Sequence, residues 1–205
     1  MEFKNKTEEI ELRRIANILV FFANKTENFG VTKANKLLYY LDCFHLLEYG
    51  RTVIKDKYIK YPLGPVPIKT SQKLDIIKAI SEVPENERLE FNPDLELMLE
   101  YITIKKEKLG SKRSLLKIVA KKDFEPKWFS ESEREIMKKL AKKYCNTTAI
   151  ELVRQTHKES PYKKANKYEY IDLKLFLEYH NRPQKEIDHA AYTEKLIDAI
   201  SINFK

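Results

Sequence analysis

A mainly α-helical fold, a multi-helix domain with a small inserted β-sheet, is predicted on three observations. Residues 31–67 read VTKANKLLYYLDCFHLLEYGRTVIKDKYIKYPLGPVP. Their first half is a helical run without a polar stripe, as expected of a helix buried on several sides. Apolar residues recur at three- and four-residue steps through much of the remaining chain, the signature of amphipathic helices. Two capping boxes, Ser130-Glu131-Ser132-Glu133 and Thr148-Ala149-Ile150-Glu151, mark helix starts, because Ser or Thr and the Glu three residues on satisfy each other's free backbone N–H groups. With no internal repeat and no low-complexity linker, residues 1–205 read as a single domain.

In chain order, residues 8–24 predict an amphipathic helix with Leu12, Ile15, Ala16, Leu19, Phe22 and Ala23 on one face and Glu8, Glu9 and Glu11 in its first turn. A turn over 25–30 leads to the central helix, capped by Thr32 and stopped at Gly50, so that the first two helices form a hairpin. Residues 57–61 predict a short strand. Pro62-Leu63-Gly64-Pro65-Val66-Pro67 forms a corner, with Pro65 or Pro67 opening a helix to about Ser81 that turns Leu74, Ile77 and Ile80 inward. Between 85 and 127 the pattern is weak. Residues 89–91 read as a strand, 95–104 as either strand or helix, and 112–122 as a strand pairing with 57–61. Helices then follow: one with Ile136, Met137, Leu140 and Tyr144 inward, one with Leu152, Val153 and His157, a short turn at 160–165, one over 170–180, and a last one over 184–201 with Tyr192, Leu196, Ala199 and Ile200 inward.

Composition narrows the function classes. The chain is 42% hydrophobic, enough for a packed core, and no run approaches the roughly 18–20 apolar residues of a membrane span. The N-terminus lacks an apolar signal segment, and Cys43 and Cys145 lie far apart on different helices, which fits a reducing cytoplasm better than a disulfide framework or a zinc site. The net charge is +8, distributed in blocks. Residues 51–73 carry six basic side chains against one acidic, residues 74–104 two against eight, and residues 105–127 nine against three. A lysine-rich solubilising surface explains this as well as a nucleic-acid patch does.

Enzyme constellations are sparse. Four glycines leave little for a phosphate-cradling loop, and no zinc-protease, nucleophile-elbow or dinucleotide motif occurs. His157 with Glu151 or with Cys145 offers acid–base or nucleophilic chemistry only if folding brings them together; an isolated helical histidine, such as His45, more often bonds a carbonyl and fills space. The chain therefore reads as a non-enzyme without cofactor or metal. Residues 132–158 share the helix–turn–helix connectivity, with Thr148, Arg154, Gln155 and Lys158 as groove contacts, so a DNA-binding regulator of its own operon is the alternative; any helical hairpin has this outline.

Four short blocks together carry a resemblance. Lys36-Leu37-Leu38-Tyr39-Tyr40, His45-Leu46 with Tyr49-Gly50, Tyr61 to Pro67, and the later Ala149-Ile150-Glu151-Leu152 with Thr156 to Ala165 resemble the Panacea domain of SocA-like antitoxins and phage-associated GepA-like proteins. The family most often has tryptophan after the proline of the second signature, where this chain has Tyr162. The resemblance spans residues 8–166 and leaves 167–205 as a C-terminal helical extension. It implies a mostly helical antitoxin that neutralises a cognate protein toxin by direct contact. One family member acts as a proteolytic adaptor, which adds a ClpXP-type protease as a partner.

The candidate partner-binding residues are Tyr39, Tyr40, Tyr61, Gly64, Pro65, Val66, Pro67, His157 and Tyr162. Each has a structural alternative. Aromatics with a polar tip suit interfaces, yet Tyr39, Tyr40 and Tyr61 also suit a core with bonded hydroxyls. Gly64 to Pro67 is either a rigid recognition edge or a strand-to-helix corner. His157 and Tyr162 either touch a partner or latch that corner.

Overall fold

The computed structural model describes residues 6–83, 93–109 and 113–203. Among them the helices are α1 (Lys6–Lys25), α2 (Val31–Tyr49), α3 (Ile68–Ser81), α4 (Pro93–Tyr101), α5 (Glu131–Tyr144), α6 (Ala149–Thr156), α7 (Ser160–Lys164), α8 (Lys174–Tyr179) and α9 (Gln184–Asn203). The strands are β1 (Tyr58–Tyr61), β2 (Gly64–Pro67), β3 (Ile102–Leu109) and β4 (Arg113–Ala120). The predicted class, mainly α with minor β, is what is observed.

Helix α2 runs through the middle, touching α5, α6, α8, α3 and strands β2 and β4. Thirteen of its residues are buried, from Lys33 to Leu46, which is why its sequence shows no polar stripe. Its N-cap is Gly30 and not Thr32, and no side chain caps it. Close approach favours glycine there: a Cβ on Gly30 would lie 2.8 Å from Leu115 Cδ1 and 3.0 Å from Leu116 O. The helix ends as predicted at Gly50, in the left-handed conformation at φ +70°, whose N–H donates to Leu46 O. Helix α1 is buried over eight residues, more than one stripe, because α4 and β4 cover one side and α5 another.

The pairing of the strands corrects the sequence reading. Segment 113–120 pairs with 102–109, with Ile104 facing Ile118, and not with 58–61. Strand β1 instead folds back on β2, Tyr58 facing Pro67 and Tyr61 facing Gly64. The basic blocks 51–73 and 105–127 therefore belong to separate hairpins. Residues 95–104 divide between both readings, since α4 ends at Tyr101 and β3 begins at Ile102. The strand expected at 89–91 lies outside the described residues.

Helix α3 starts at Ile68 with Pro67 as its N-cap, and it buries Leu74, Ile77 and Ile80 as predicted. Both capping boxes form, at Ser130 and at Thr148. In α6 Leu152 and Thr156 are buried, while Val153 is only half-buried. Helix α8 begins at Lys174, four residues later than predicted, because Tyr170 is used to bridge Ile59. Helix α9 buries Ile187 and Ala190, whereas Tyr192 and Leu196, predicted inward, are exposed; the side chains of Ala199 and Ile200 lie outside the described residues. One apolar cluster spans α1, α2, α3, α4, the β3–β4 hairpin, α5 and α6, and extends to Ile171 and Phe176; a small second one joins Leu46 of α2 to Leu177, Ile187 and Ala190.

Candidate partner-binding site

Along α2, Lys33, Lys36, Tyr39, Tyr40, Asp42 and His45 fasten other segments, while the buried Asn35 Oδ1 has no hydrogen-bond partner among the described residues. Lys33 Nζ donates to the carbonyls of Glu27 and Cys145, at 2.7 and 2.9 Å, pinning the α1–α2 turn to the end of α5. Asp42 accepts from the N–H groups of Val53 and Ile54, at 2.7 and 2.8 Å, and from the Tyr58 hydroxyl at 2.8 Å. Burial pushes the Asp42 carboxyl up to about 7, against the pull of those three donors. His45 Nδ1 lies 2.7 Å from Arg51 O, so that nitrogen carries the proton and Nε2 accepts from Ser132 Oγ at 3.1 Å. Tyr39 and Tyr40 direct their hydroxyls onto the two oxygens of Glu159, at 3.2 and 2.9 Å. Glu159 is the N-cap residue of α7, and burial pushes its carboxyl up to about 7.

The corner after α2 is built on the same plan. Ile68 N–H donates to Lys57 O at 3.0 Å, which sets the hydrogen-bonding parity of the hairpin. Residues 57, 59 and 61 bond towards β2. Pro65 and Pro67 then occupy the alternate positions, where a missing N–H faces away from β1 and costs no ladder bond. Gly64 sits at φ +95°, and a Cβ there would lie 2.5 Å from Lys36 Cε and 2.8 Å from Thr156 Oγ1. Lys36 is buried and donates to Pro65 O at 2.7 Å; loss of hydration lowers its ammonium to about 7. Tyr162 donates its hydroxyl to Tyr61 O at 2.8 Å, and the His157 ring stacks on Tyr162 at 4.3 Å between centroids. The second sequence signature thus sits on the first, through α6 and α7.

On the other side of β1, residues 168–171 pair as a third segment that begins at Tyr168 in the left-handed conformation, at φ +66°. Tyr168 N–H donates to Lys60 O, Lys60 N–H to Glu169 O, and Ile171 N–H to Tyr58 O, at 2.8–3.0 Å. Ile59 faces Val66 on one side and Tyr170 on the other. Side chains directly opposite share a face, so Ile59, Tyr61, Val66 and Tyr170 lie on one surface of this small sheet, and the Tyr168 ring meets Tyr61 there edge to face. The opposite surface, with Tyr58, Pro65, Pro67 and Ile171, is turned into the protein.

The candidate residues divide accordingly. Tyr39, Tyr40, Gly64, Pro65 and Pro67 are buried, Tyr162 nearly so, and His157 is half-covered. Val66 is half-exposed and Tyr61 is 44% exposed. Sequence reasoning missed Tyr168 and Tyr170, 54% and 63% exposed, by assigning Tyr170 to a helix. The local sequence carries no strand period here: Tyr168, Glu169 and Tyr170 are all exposed and only Ile171 is buried, so the segment is placed by its pairing with β1.

The remaining candidates have other placements. Cys145 is the C-cap residue of α5 and borders a shallow groove with Glu151 and Gln155, while the His157 ring belongs to the corner. Thr148 is engaged in its capping box with Glu151, and Arg154, Gln155 and Lys158 are exposed. Among the described residues no group of three His, Cys, Asp or Glu side chains is placed to hold a metal ion, and no helix is long and apolar enough to cross a membrane.

Comparison with protein-family models matches residues 35–163, more than half of the chain, to the domain described as antitoxin SocA-like, Panacea domain. That range begins inside α2 and closes inside α7, so it encloses both halves of the corner. Comparison with curated proteins and with solved structures finds no match.

Proposed function

Because the chain belongs to the SocA-like Panacea antitoxin family, we propose that it is a non-enzymatic antitoxin, which binds a cognate protein toxin in the cytoplasm and neutralises it by direct contact. The observation that carries this reading is the family match over the α2–hairpin–α7 unit, the part of the molecule in which both sequence signatures meet. Lys36, Asp42 and Glu159 are spent on holding segments together, as in a scaffold that presents a surface.

The test is co-expression with the protein encoded by the adjacent open reading frame. Growth arrest by that protein alone, relieved by this chain, is the expected result; a neighbour that is harmless alone counts against the reading. The adaptor form of the proposal, delivery of the bound toxin to a ClpXP-type protease, is separated from simple occlusion by the toxin's half-life. Delivery shortens it in cells with the protease and not in cells lacking it, whereas occlusion leaves it unchanged in both.

A further inference from the structure

We propose that the outer face of the β1–β2–(168–171) sheet is the docking surface for the toxin, and that the toxin segment seated on it presents carboxylates around an apolar centre. This rests on the antitoxin reading and goes beyond it in naming the surface and the chemistry of what covers it.

The centre of the face is Ile59 flanked by Val66 and Tyr170, with Tyr61 and Tyr168 beside them, their rings 5.4 Å apart and edge to face. Leu63, at the hairpin tip, is exposed next to Tyr61. Three exposed tyrosines and an exposed leucine on one short sheet form the kind of aromatic, partly apolar patch from which interface hot spots are drawn. The backbone beneath it is held from behind by Asp42, Lys36 and Tyr162, so the face is preorganised and little ordering cost attends binding.

Charge identifies the partner. Lys57 Nζ lies 5.4 Å from the centre of the Tyr170 ring and Lys167 Nζ 4.8 Å from that of Tyr168. Among the described residues neither lysine forms an ion pair. Each ammonium rests on a ring face; of the carboxylates in the cleft beside Lys57 and Tyr170, Asp56 is engaged by Thr70 and Asp172 by Lys174, and Glu194 also lines it. An approaching carboxylate adds to that contact without displacing anything. A nucleic-acid base would need the same ring faces for stacking, and one face of each ring is already covered by the ammonium group of Lys57 or Lys167. The aliphatic centre offers a base no hydrogen bond either. A protein surface with an apolar residue over Ile59 and acidic residues over the two lysines satisfies the whole face.

The experiment measures binding of the purified full-length chain to the adjacent-frame protein. Wild type is compared with Tyr61→Ala/Tyr168→Ala/Tyr170→Ala, with Lys57→Gln/Lys167→Gln, and with Tyr49→Ala as a control. Tyr49 is another exposed tyrosine, about 20 Å along α2 from Lys36. The proposal expects the triple variant to raise Kd at least about 30-fold, with a change below about 2-fold for Tyr49→Ala. It expects the lysine pair to flatten the loss of affinity with added salt. Hydrogen exchange of the wild type, which needs no variant to fold, must show protection at 58–61 and 168–171 when the partner is added. Unchanged affinity and no protection, with wild type binding and rescuing growth, overturn the surface and leave the antitoxin reading standing. Wild type that neither binds nor rescues overturns both. Tyrosine-dependent binding of a fluorescent 20-nucleotide single strand in place of the protein, or a wild-type dimer that the triple variant dissociates, reassigns the face and overturns the proposal.

Discussion

Single buried carboxylates set how this molecule responds to pH, and they act in opposite directions. Glu133 closes the capping box of α5 and also receives Arg14 and Arg51 at 2.8 and 3.0 Å, which hold its carboxyl down at about 2 despite its burial. In the unfolded chain it titrates near pH 4.3. Its contribution is therefore present above about pH 4 and lost as pH falls through about 2, and the shift corresponds to about 3 kcal/mol. Glu133→Gln is expected to lower the unfolding free energy by that amount at pH 7, measured by urea denaturation, and to remove part of the loss below pH 4. Asp42 and Glu159, pushed up to about 7, work the other way. Between about pH 4 and 7 these two groups hold protons in the native state that they have released in the unfolded state, so their contribution to stability falls as pH rises across that window. The His45, His157 and His180 imidazoles, lowered by burial, oppose this in the same window, so Asp42→Asn is expected to shift the slope of melting temperature against pH between about 4.5 and 7 in the positive direction. An unchanged slope would show that the Val53, Ile54 and Tyr58 donors keep Asp42 ionised throughout.

At the level of elements, the two glycines with positive φ among the described residues separate conformational strain from crowding. Gly50 ends α2 at φ +70° with nothing within 4 Å of where a methyl group would sit, so Gly50→Ala is expected to cost only the left-handed penalty, about 1 kcal/mol. Gly64, at φ +95°, adds the collision with Lys36 and Thr156. Gly64→Ala is expected to cost at least about 2 kcal/mol and to loosen the corner, which thermal melts of the two variants compare directly. The end of α2 was legible because glycine just past a helix is a local signal, and the capping boxes at Ser130 and Thr148 were legible for the same reason. Strand pairing was not. Alternation at 58–61 and 113–120 marks each as a strand and says nothing about its partner. Pro65 and Pro67 disguised β2 as a turn, although their parity lets them sit in a ladder. Of the candidate site, the corner and its latch from Tyr162 were within reach of the motifs. The exposed face was only half legible, since Tyr61 draws its aromatic neighbours from residues 168–170, more than a hundred positions along the chain.

Across the whole molecule, the extension beyond the family match is joined to the rest by three kinds of contact. Residues 168–171 bond to the edge of β1. Phe176 meets Phe44 edge to face at 5.4 Å, and Leu177, Ile187 and Ala190 close over Leu46. Arg182 donates to Leu47 O at 2.9 Å, at the C-terminal end of α2. Phe176, Leu177 and Ile187 are each worth about 1.5–3 kcal/mol when buried, and together they approach the net stability of an ordinary domain. A chain cut after Ala165 therefore leaves the Phe44–Leu47 surface of the central helix and one edge of β1 uncovered. It is expected to aggregate or to melt without a cooperative transition, as followed by sedimentation and circular dichroism. Leu177→Ala and Ile187→Ala in the full chain are expected to cost about 2–5 kcal/mol each while the fold persists. A cut chain that stays monomeric and melts like the full protein would instead make residues 166–205 an appendage. In that case Tyr168 and Tyr170 would be supplied to the exposed face by a segment that the core does not need.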